Sequence, residues 1–498
     1  MSNTSTCDCR TVASQLLALA MVFGLLLATA LARAATTPPA EPLEAPLATI
    51  VAGLVHDALL ANLELDIAGA AAAERLAALD AARARYLPAL DLGARYSRAD
   101  GGRTIDFPVG NLLNPVYASL NQLTGTTNFP SVANQSIHLL RPREQDTHLT
   151  LTQPLYDARL PAASAARGAE FAAATAARDA LAGRVERDMA TAYYRWLEAG
   201  ARSGILDATL ELAEANLRVN QSLFDTGKIT PDRVFRAEAD VLEVQQTRLA
   251  ATNAERLAQS YVNLLRNAPF DRPLPRAQVA DADVSRARDA LAQRLGALVL
   301  APAALADAAI GQRAELRQLD AAAAAADAGA RLARAAFKPQ LALAVDAGSQ
   351  GERYAFGAND RYVLASLVLR FNLFDGGADQ AGLAAAHAAG RAARSNRALA
   401  EQRVRLEVEQ ALDALQVSLA SLGTSAKRVE AARGGFRIAE RKRDLGQINQ
   451  AEFVDARRVL TDAELNRNVT RYAALGSVAE LEYAVGRAAR APTPESLP

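Results

Sequence analysis

The sequence contains almost no cysteine, few aromatic residues and no net charge. Of its 498 residues, 5% are aromatic and only two are cysteine, Cys7 and Cys9 near the N-terminus. This distribution excludes a disulfide framework or a cysteine-based metal site in the rest of the chain. Lys+Arg and Asp+Glu both number 55, which argues against a protein that coats nucleic acid, because such proteins carry a basic excess. The 50% hydrophobic content excludes a disordered chain, and the length allows about two to four domains.

Proline is absent from two long segments, 162–230 and 340–491, and alanine dominates much of both, which favours helix. Segments 158–226 and 378–445 carry no turn cluster, and at about 1.5 Å per residue each would extend for roughly 100 Å. Helices of this length are typical of coiled coils and helical arrays. A soluble spectrin-like rod is an alternative interpretation of the helices alone.

The N-terminus has the layout of a secretory signal. An apolar run over 12–32 follows Arg10 and is followed by the small residues around Arg33. We therefore predict a signal peptide over 1–34 and a Pro-rich segment over 35–49. A transmembrane anchor is the alternative, because the run is long enough to span a bilayer. Cleavage would remove both cysteines and leave an exported chain without cysteine.

Four short motifs occur twice, in the same order, at a spacing of 251 residues for the first two pairs and of 218 and 219 for the last two, because 98–147 faces a much shorter segment in the second copy. The pairs begin at Asn62 and Arg313, Leu87 and Lys338, Leu155 and Leu373, and Asp225 and Asp444. Each copy indicates a helix, a strand, a loop, a strand, a long helix, a tight turn and a long helix, so the chain is predicted to be an internal duplication. The predicted segments are a first repeat over 50–270, an inter-repeat linker or equatorial segment over 271–302, a second repeat over 303–487 and a C-terminal tail over 488–498.

Strict alternation of apolar and polar residues predicts two strands in each repeat. The predicted strands cover about 88–98, 147–156, 339–348 and 362–374. In the first, Leu90 and Leu92 share one face, whereas Asp91 and Arg95 share the other. The lengths are close to the roughly 9–11 residues of a membrane strand. Any one strand would also fit a soluble sandwich, but four in an otherwise helical chain favour a membrane barrel.

Four strands cannot close a barrel, and a membrane barrel must close so that its backbone groups are paired. Three copies of the chain would supply twelve strands, which lies within the range of membrane barrels. Six copies would also close, as a far wider tube, and we favour three.

The strand-to-helix junctions and the helical turns carry recognisable motifs. They are Gln153-Pro154-Leu155-Tyr156-Asp157, Asn372-Leu373-Phe374-Asp375-Gly376-Gly377, and the turn segments Gly227 to Ala237 and Gly446 to Ala456. With these motifs the chain resembles the TolC-like outer-membrane efflux protein family over roughly residues 50–487. The resemblance implies a mainly α fold with membrane β: a trimeric 12-stranded outer-membrane β-barrel continuous with a long periplasmic α-helical coiled-coil barrel.

The resemblance also implies where the protein works and with what. Members of the family lie in the outer membrane of Gram-negative bacteria, in contact with its lipid, with a large periplasmic part. They dock onto a periplasmic adaptor and an inner-membrane pump of the ABC, RND or a similar class. They export drugs, dyes or unfolded proteins.

The resemblance further implies an acidic periplasmic aperture. Its acidic positions correspond here to Glu452 and Asp455, and three copies would place six carboxylates around a narrow opening, which favours cations. The alternative interpretation is that these two residues lie on a solvent-exposed helix face and do not line an aperture. Arg443 lies where the family often has a closing residue, and Asp232 and Arg233 in the matching turn are its candidate partners.

Adaptor contacts are expected at the two turns, where glycine would permit a positive φ angle. The turn residues are Gly227, Lys228, Gly446 and Gln447. The junction residues carried over from the family are Pro154, Tyr156, Asp157, Phe374, Asp375 and Gly376.

No pattern indicates catalysis, a cofactor or a metal site. The histidines His56, His138, His148 and His387 show no ligand spacing. Gly227-Lys228 lacks the upstream glycine and the Ser/Thr of a phosphate-binding loop, and no nucleophile elbow occurs. The aromatic cluster around Tyr193, Tyr194 and Trp196 is expected to pack against a neighbouring helix. We therefore expect no enzymatic activity, and energy must come from a partner.

The predicted function is a passive outer-membrane exit duct of a tripartite export machine. Its cargo is either a protein or toxin in type I secretion, or small molecules in drug efflux. A periplasmic coiled-coil adaptor or scaffold is the alternative, and an exported enzyme lacks a site. The long segment 98–147, rich in Asn, Thr, Gly and Pro, is expected to be an extracellular loop at the mouth.

Overall fold

The computed structural model describes residues 46–296, 302–354 and 357–486. The predicted signal peptide, most of the Pro-rich segment and the C-terminal tail lie outside these residues. The described part is predominantly helical with a smaller number of strands, as the sequence predicts. The helices are α1 (Leu47–Ala61), α2 (Leu63–Ala84), α3 (Val109–Thr124), α4 (Arg159–Asp225), α5 (Pro231–Leu265), α6 (Asp281–Leu295), α7 (Pro302–Gln312), α8 (Ala314–Ala335), α9 (Ala378–Asp444) and α10 (Gln450–Ala484). The strands are β1 (Ala89–Arg98), β2 (Thr104–Phe107), β3 (Gln135–His138), β4 (Arg143–Asp157), β5 (Gln340–Gly351) and β6 (Arg361–Arg370).

The long helices have the same lengths in both halves of the chain. Helices α4 and α9 contain 67 residues each. Helices α5 and α10 contain 35 residues each. Two prolines lie within these helices, Pro161 in the first turn of α4 and Pro231 at the first position of α5, and a missing N–H costs nothing at either place. The two halves therefore agree in helix length as well as in motif order.

Each half begins with two helices rather than the single helix that the sequence predicts. The second helix of each pair starts after Asn62 or Arg313, and both cap residues have extended backbone. The Asn62 side chain accepts hydrogen bonds from the Glu64 and Leu65 amides, at 2.9 and 3.2 Å. These bonds satisfy amides that would otherwise lack a partner at the helix start.

The strands β1, β4, β5 and β6 form one antiparallel sheet in the order β1-β4-β5-β6. The register places Leu90, Leu151, Val345 and Ala365 in one row across the sheet. A second row contains Leu92, Leu149, Ala347 and Val363. These rows lie on the same face, and most of their large side chains are exposed. One face of the sheet is therefore a continuous exposed apolar surface.

Two strand boundaries differ from the predicted ones. β4 begins at Arg143 rather than near residue 147, because Arg143 pairs with Arg98 at the end of β1. β6 ends at Arg370 rather than near residue 374, because Arg370 pairs with Gln340, the first residue of β5. A strand ends where its neighbour has no further residue to pair with. The residue pattern of a single segment does not contain that information.

The segment predicted as a long loop, 98–147, contains regular structure. β2 and β3 pair as an antiparallel hairpin with Ile105 opposite Ile137, and α3 lies between them in sequence. The predicted linker 271–302 likewise contains α6. The alternation and turn signals used to predict the repeats do not identify either element.

The chain divides into two compact units. One consists of the residues up to Leu60, Met189–Arg294 and Ser418–Val478. Its described residues form helices and their connecting segments, without a strand, around a core that includes Met189, Tyr193 and Val262. The other consists of Ala61–Asp188, Leu295–Val417 and the residues from Ala479 onward, and contains both sheets. None of the described helices could cross a membrane alone by length and apolarity, although the bent pair α1 and α2 passes that test when taken together.

Candidate functional site

The turns after α4 and α9 are built in the same way. Gly227 and Gly446 have φ angles of 71° and 67°. In the first turn the Lys228 amide donates to Leu223 O at 2.9 Å and the Gly227 amide to Phe224 O at 2.8 Å. The second turn repeats both bonds, from Gln447 to Lys442 at 2.7 Å and from Gly446 to Arg443 at 2.9 Å. This pair of hydrogen bonds ends a helix and requires a residue with left-handed backbone conformation. Glycine adopts that conformation without steric cost, which explains its presence at both positions. The four predicted turn residues are all exposed.

The helix after the second turn begins with a reciprocal cap. The Glu452 amide donates to Asn449 Oδ1 at 2.9 Å, and Asn449 Nδ2 donates to Glu452 Oε1 at 2.7 Å. Glu452 thus stabilises the start of α10, a role that the sequence analysis missed. The spacing Asn-x-x-Glu is the local signal that would have predicted it.

The helix after the first turn begins differently. Thr230 precedes Pro231, the first residue of α5, and its hydroxyl donates to the Asp232 carboxylate. That hydrogen bond lowers the pKa of Asp232. Asp232 therefore carries its charge at the first turn of a helix, where a negative charge is favourable.

Arg443 is held within its own hairpin. Its guanidinium lies 4.4 Å from the centre of the Phe453 ring and donates to Asp444 at 2.9 Å. Phe453 is buried and packs against Phe436 with ring centres 5.7 Å apart. Among the described residues of one chain, no hydrogen bond or ion pair joins Arg443 to Asp232 or Arg233. Asp455 is exposed on α10, one turn after Glu452.

A shallow apolar groove lies along the hairpin formed by α9 and α10. It has a volume of about 410 Å³ and is lined by Arg428, Ala431, Ala432, Gly435, Phe436, Ala456 and Val459 of α9 and α10. Gly435 leaves open space where a side chain would project. The groove combines small residues with one arginine at its edge, and the sequence analysis did not identify it.

The helices that follow the two turns are joined by ion pairs. Arg457 of α10 donates to Asp240 of α5 at 2.5 Å, and the neighbouring Arg458 donates to Glu243 at 3.0 Å. These contacts hold α5 and α10 side by side near the turns. Neither pair was predicted.

The predicted equatorial segment is fixed to the long helices at two places. Asp281, the first residue of α6, accepts hydrogen bonds from Arg467 and Arg471 of α10, both at 2.7 Å. Burial raises the pKa of Asp281, but the hydrogen bonds from the two arginines outweigh it, so its pKa is lowered. The start of α6 is therefore held by a charge cluster.

Tyr193 makes the second attachment. Its hydroxyl donates to Pro275 O at 2.6 Å and accepts from the Ala277 amide at 3.3 Å. Burial raises the pKa of Tyr193 to about 12. Trp196 is also buried and lies 5.6 Å from the Tyr193 ring. The predicted packing role of these aromatics thus includes a polar contact that the sequence does not reveal.

The two strand-to-helix junctions use aspartate in the same way. Asp157 accepts from the Arg159 amide at 2.9 Å, and from the Arg159 guanidinium at 2.8 Å. Asp375 accepts from the Gly377 and Asp379 amides at 3.1 and 2.6 Å. Each aspartate satisfies amides at a helix start.

The other junction residues shape the chain around these aspartates. The register of β4 against β5 shifts between Pro154 and Tyr156, so Leu155 has no place in the ladder. Gly376 has a φ of 72° and follows the exposed Phe374. The junctions are therefore structural devices that end a strand and start a helix.

The face of the sheet opposite the apolar rows carries a polar cluster. Asp146 Oδ1 lies 3.0 Å from His148 Nδ1 and accepts from the Tyr362 hydroxyl at 3.4 Å, while Arg95 lies 3.9 Å from its other oxygen. The remaining histidines take no part in this cluster. Within the described ranges no group of three or more His, Cys, Asp and Glu is arranged to hold a metal ion.

The chain is similar to one known family and to several solved structures. The model of the outer membrane efflux protein family matches residues 54–266 and 305–487. The CmeC outer membrane channel of Campylobacter jejuni superimposes with a TM-score of 0.72 at 15% identity, covering 90% of this chain and 87% of that one. The outer-membrane channel OprN gives 0.70 at 16% identity, covering 89% and 91%. VceC from Vibrio cholerae gives 0.69 at 17% identity, covering 88% and 96%.

The comparison with curated proteins finds no match. At these identities the structural likeness shows the fold, and the matched family residues span well over half of the chain. The protein therefore belongs to the outer membrane efflux protein family.

Proposed function

We propose that three copies of this chain form the outer-membrane exit duct of a tripartite efflux machine in a Gram-negative bacterium. Family membership supports the channel over the periplasmic adaptor or scaffold, which shares the long helices. Channels of this family are trimeric and work with a periplasmic adaptor and an inner-membrane pump. The protein has the same architecture of long paired helices and a small sheet.

The four-stranded sheet is the observation that carries this proposal. Among the described strands, β1 and β6 are the edges of that sheet, and each pairs on one side only. Unpaired edges cannot face lipid, because their backbone groups would lack hydrogen bonds. If β6 of each chain pairs with β1 of the next, three chains close a barrel of twelve strands. The exposed apolar rows would then face lipid, and the Asp146 cluster would face the lumen.

We assign the helical turns to the periplasmic end of the duct. Glu452 and Asp455 would line the aperture, and Asp232, Arg233 and Arg443 would meet them across chain boundaries. The exposed turns at Gly227, Lys228, Gly446 and Gln447 would contact the adaptor. The apolar groove between α9 and α10 gives an adaptor side chain a place to pack.

Transport through this duct would be passive, with energy from an ABC, RND or similar pump. The family description favours small-molecule efflux over type I protein secretion. A deletion strain decides between them. Loss of tolerance to drugs or dyes with normal protein secretion supports efflux, and the reverse result supports secretion.

The architecture is tested on the protein extracted in detergent. We expect negative-stain electron microscopy and mass measurement to give a particle of three chains with three-fold symmetry. A monomeric particle, or extraction without detergent, would contradict the duct and favour the adaptor.

A further inference from the structure

The segment between β1 and β4 folds into a rigid motif centred on α3. Two asparagines of α3 bind the returning chain through both amide atoms. Asn114 Nδ2 donates to Val132 O at 2.9 Å, and Asn114 Oδ1 accepts from the Val132 amide at 2.7 Å. Asn121 makes the same pair of bonds with Phe129, at 2.8 and 3.1 Å. Asn114 and Asn121 thus attach one side of α3 to the returning chain.

Close backbone approach adds to this rigidity. A Cβ atom on Gly110 would lie 2.2 Å from Val132 O, so only glycine permits the observed contact. The Tyr117 and Phe129 rings lie 5.6 Å apart on the same side. Because these contacts hold α3 in one orientation against the returning chain, they also determine which side of the helix faces away from the motif.

The outer side of α3 is apolar and uncovered. Leu112, Val116 and Leu123 are 70%, 53% and 82% exposed. At about 100° per residue these three side chains fall within one stripe, on the side away from Asn114 and Asn121. A stripe of large apolar side chains in water is unfavourable and marks a contact surface.

The central part of the segment, which contains α3, also lacks charge. From Phe107 to Leu140 the sequence contains no Asp, Glu, Lys or Arg, whereas 22% of the full chain is charged. Amphipathic helices that bind membranes carry Lys or Arg on their polar side, and α3 carries none. A partner recognised by charge is excluded for the same reason.

We infer that the exposed stripe of α3, formed by Leu112, Val116 and Leu123, contacts the same motif in the other two copies of the chain. This inference rests on the proposed trimer. The motif follows β1, the edge strand that pairs with the next chain in the proposed barrel, so it stands at a subunit boundary. In a three-fold assembly any charge on this surface would be repeated around the axis and would repel its copies. An uncharged apolar stripe is therefore suited to self-contact, which would cap the outer mouth of the duct.

Disulfide cross-linking of the intact detergent-extracted protein tests this contact. The Leu123→Cys variant is made with Cys7 and Cys9 replaced by Ser, and is treated with a mild oxidant. Ala118→Cys is the matched control, because Ala118 is also exposed on α3 but lies about 140° around the helix. We expect a dimer band on a non-reducing gel for Leu123→Cys and none for Ala118→Cys.

The outcomes separate this inference from the proposed function. A three-chain particle in which Leu123→Cys does not cross-link would overturn the self-contact and leave the duct intact. A particle without three chains would overturn the duct itself. A fluorophore attached through Leu123→Cys that is quenched by spin-labelled lipid would show that the stripe faces the bilayer, and would also refute the self-contact.

Discussion

Arg457 and Asp240 form an ion pair at 2.5 Å whose side chains are only 4% and 10% exposed. The next residue, Arg458, forms its own pair with Glu243 at 3.0 Å, with exposures of 57% and 63%. Among the described contacts, Arg457 Nε and Nη1 and Asp240 Oδ2 have no hydrogen-bond partner. A buried pair with unsatisfied atoms is sensitive to the loss of either member, because the remaining charge stays out of water.

Replacing Arg457 by methionine should destabilise the protein strongly. Asp240 would remain buried without a counter-charge, which typically costs about 3–5 kcal/mol. The matched control Arg458→Met removes an exposed pair and should cost about 0–1 kcal/mol. Unfolding followed by helical circular dichroism in detergent measures both. Equal effects of the two variants would contradict the burial of Arg457, and the double variant R457M/D240L should recover much of the lost stability.

Replacing Gly446 by alanine should destabilise the second turn. Its φ of 67° is left-handed, a conformation that costs an ordinary residue about 1–2 kcal/mol. Gly423, exposed inside α9 with open space around it, is the control, and Gly423→Ala should stabilise by about 0.5–1 kcal/mol. Opposite signs in thermal unfolding are expected. A stabilising Gly446→Ala would show that the turn does not need glycine.

Removing the two proposed aperture carboxylates should reduce cation preference. The variant E452Q/D455N is chosen because glutamine retains the capping bond to Asn449 while removing the charge. Reversal potentials in planar bilayers, and block by multivalent cations, are the measurements. The control Asp462→Asn changes an exposed carboxylate about 10 Å further along α10 and should leave selectivity unchanged. Unchanged selectivity in E452Q/D455N would mean that these residues are a solvated helix face.

The cluster of Asp281 with Arg467 and Arg471 should make stability depend on acid pH. The folded-state pKa of Asp281 lies below its ordinary value of 3.8, so the cluster contributes stability above about pH 4. That contribution is lost as the pH falls through the lowered pKa. Urea unfolding should therefore show a gap between the wild type and Asp281→Asn at neutral pH that closes in acid. Asp289→Asn, at an exposed pair with Arg288, should show no such convergence.

The helical turns were the most predictable part of the site. Gly227 and Gly446 follow long helical segments, and glycine after a helix indicates a left-handed cap from local sequence alone. The cap formed by Asn449 and Glu452 depends equally on local sequence, but the family resemblance predicted for Glu452 a role through its charge. Its capping role was therefore missed despite a readable spacing.

The fold of segment 98–147 was not predictable by the same means. Asn114 binds Val132 and Asn121 binds Phe129, across a part of the chain with neither strict alternation nor a long helical pattern. An asparagine in such a segment indicates a turn or a loop by composition. Only the position of its partner shows that it attaches a helix to the returning chain.

The sequence by itself determined the repeated motifs, the helix-forming segments and the two faces of the sheet, because these depend on residue patterns that can be read without knowing how the elements pack. It could not separate Arg457 from Arg458, which are the same residue at adjacent positions. One step along a helix rotates a side chain by about 100°, so Arg457 meets Asp240 in the interior and Arg458 extends into solvent. Which of them is buried depends on where α5 packs, and only the tertiary structure decides that.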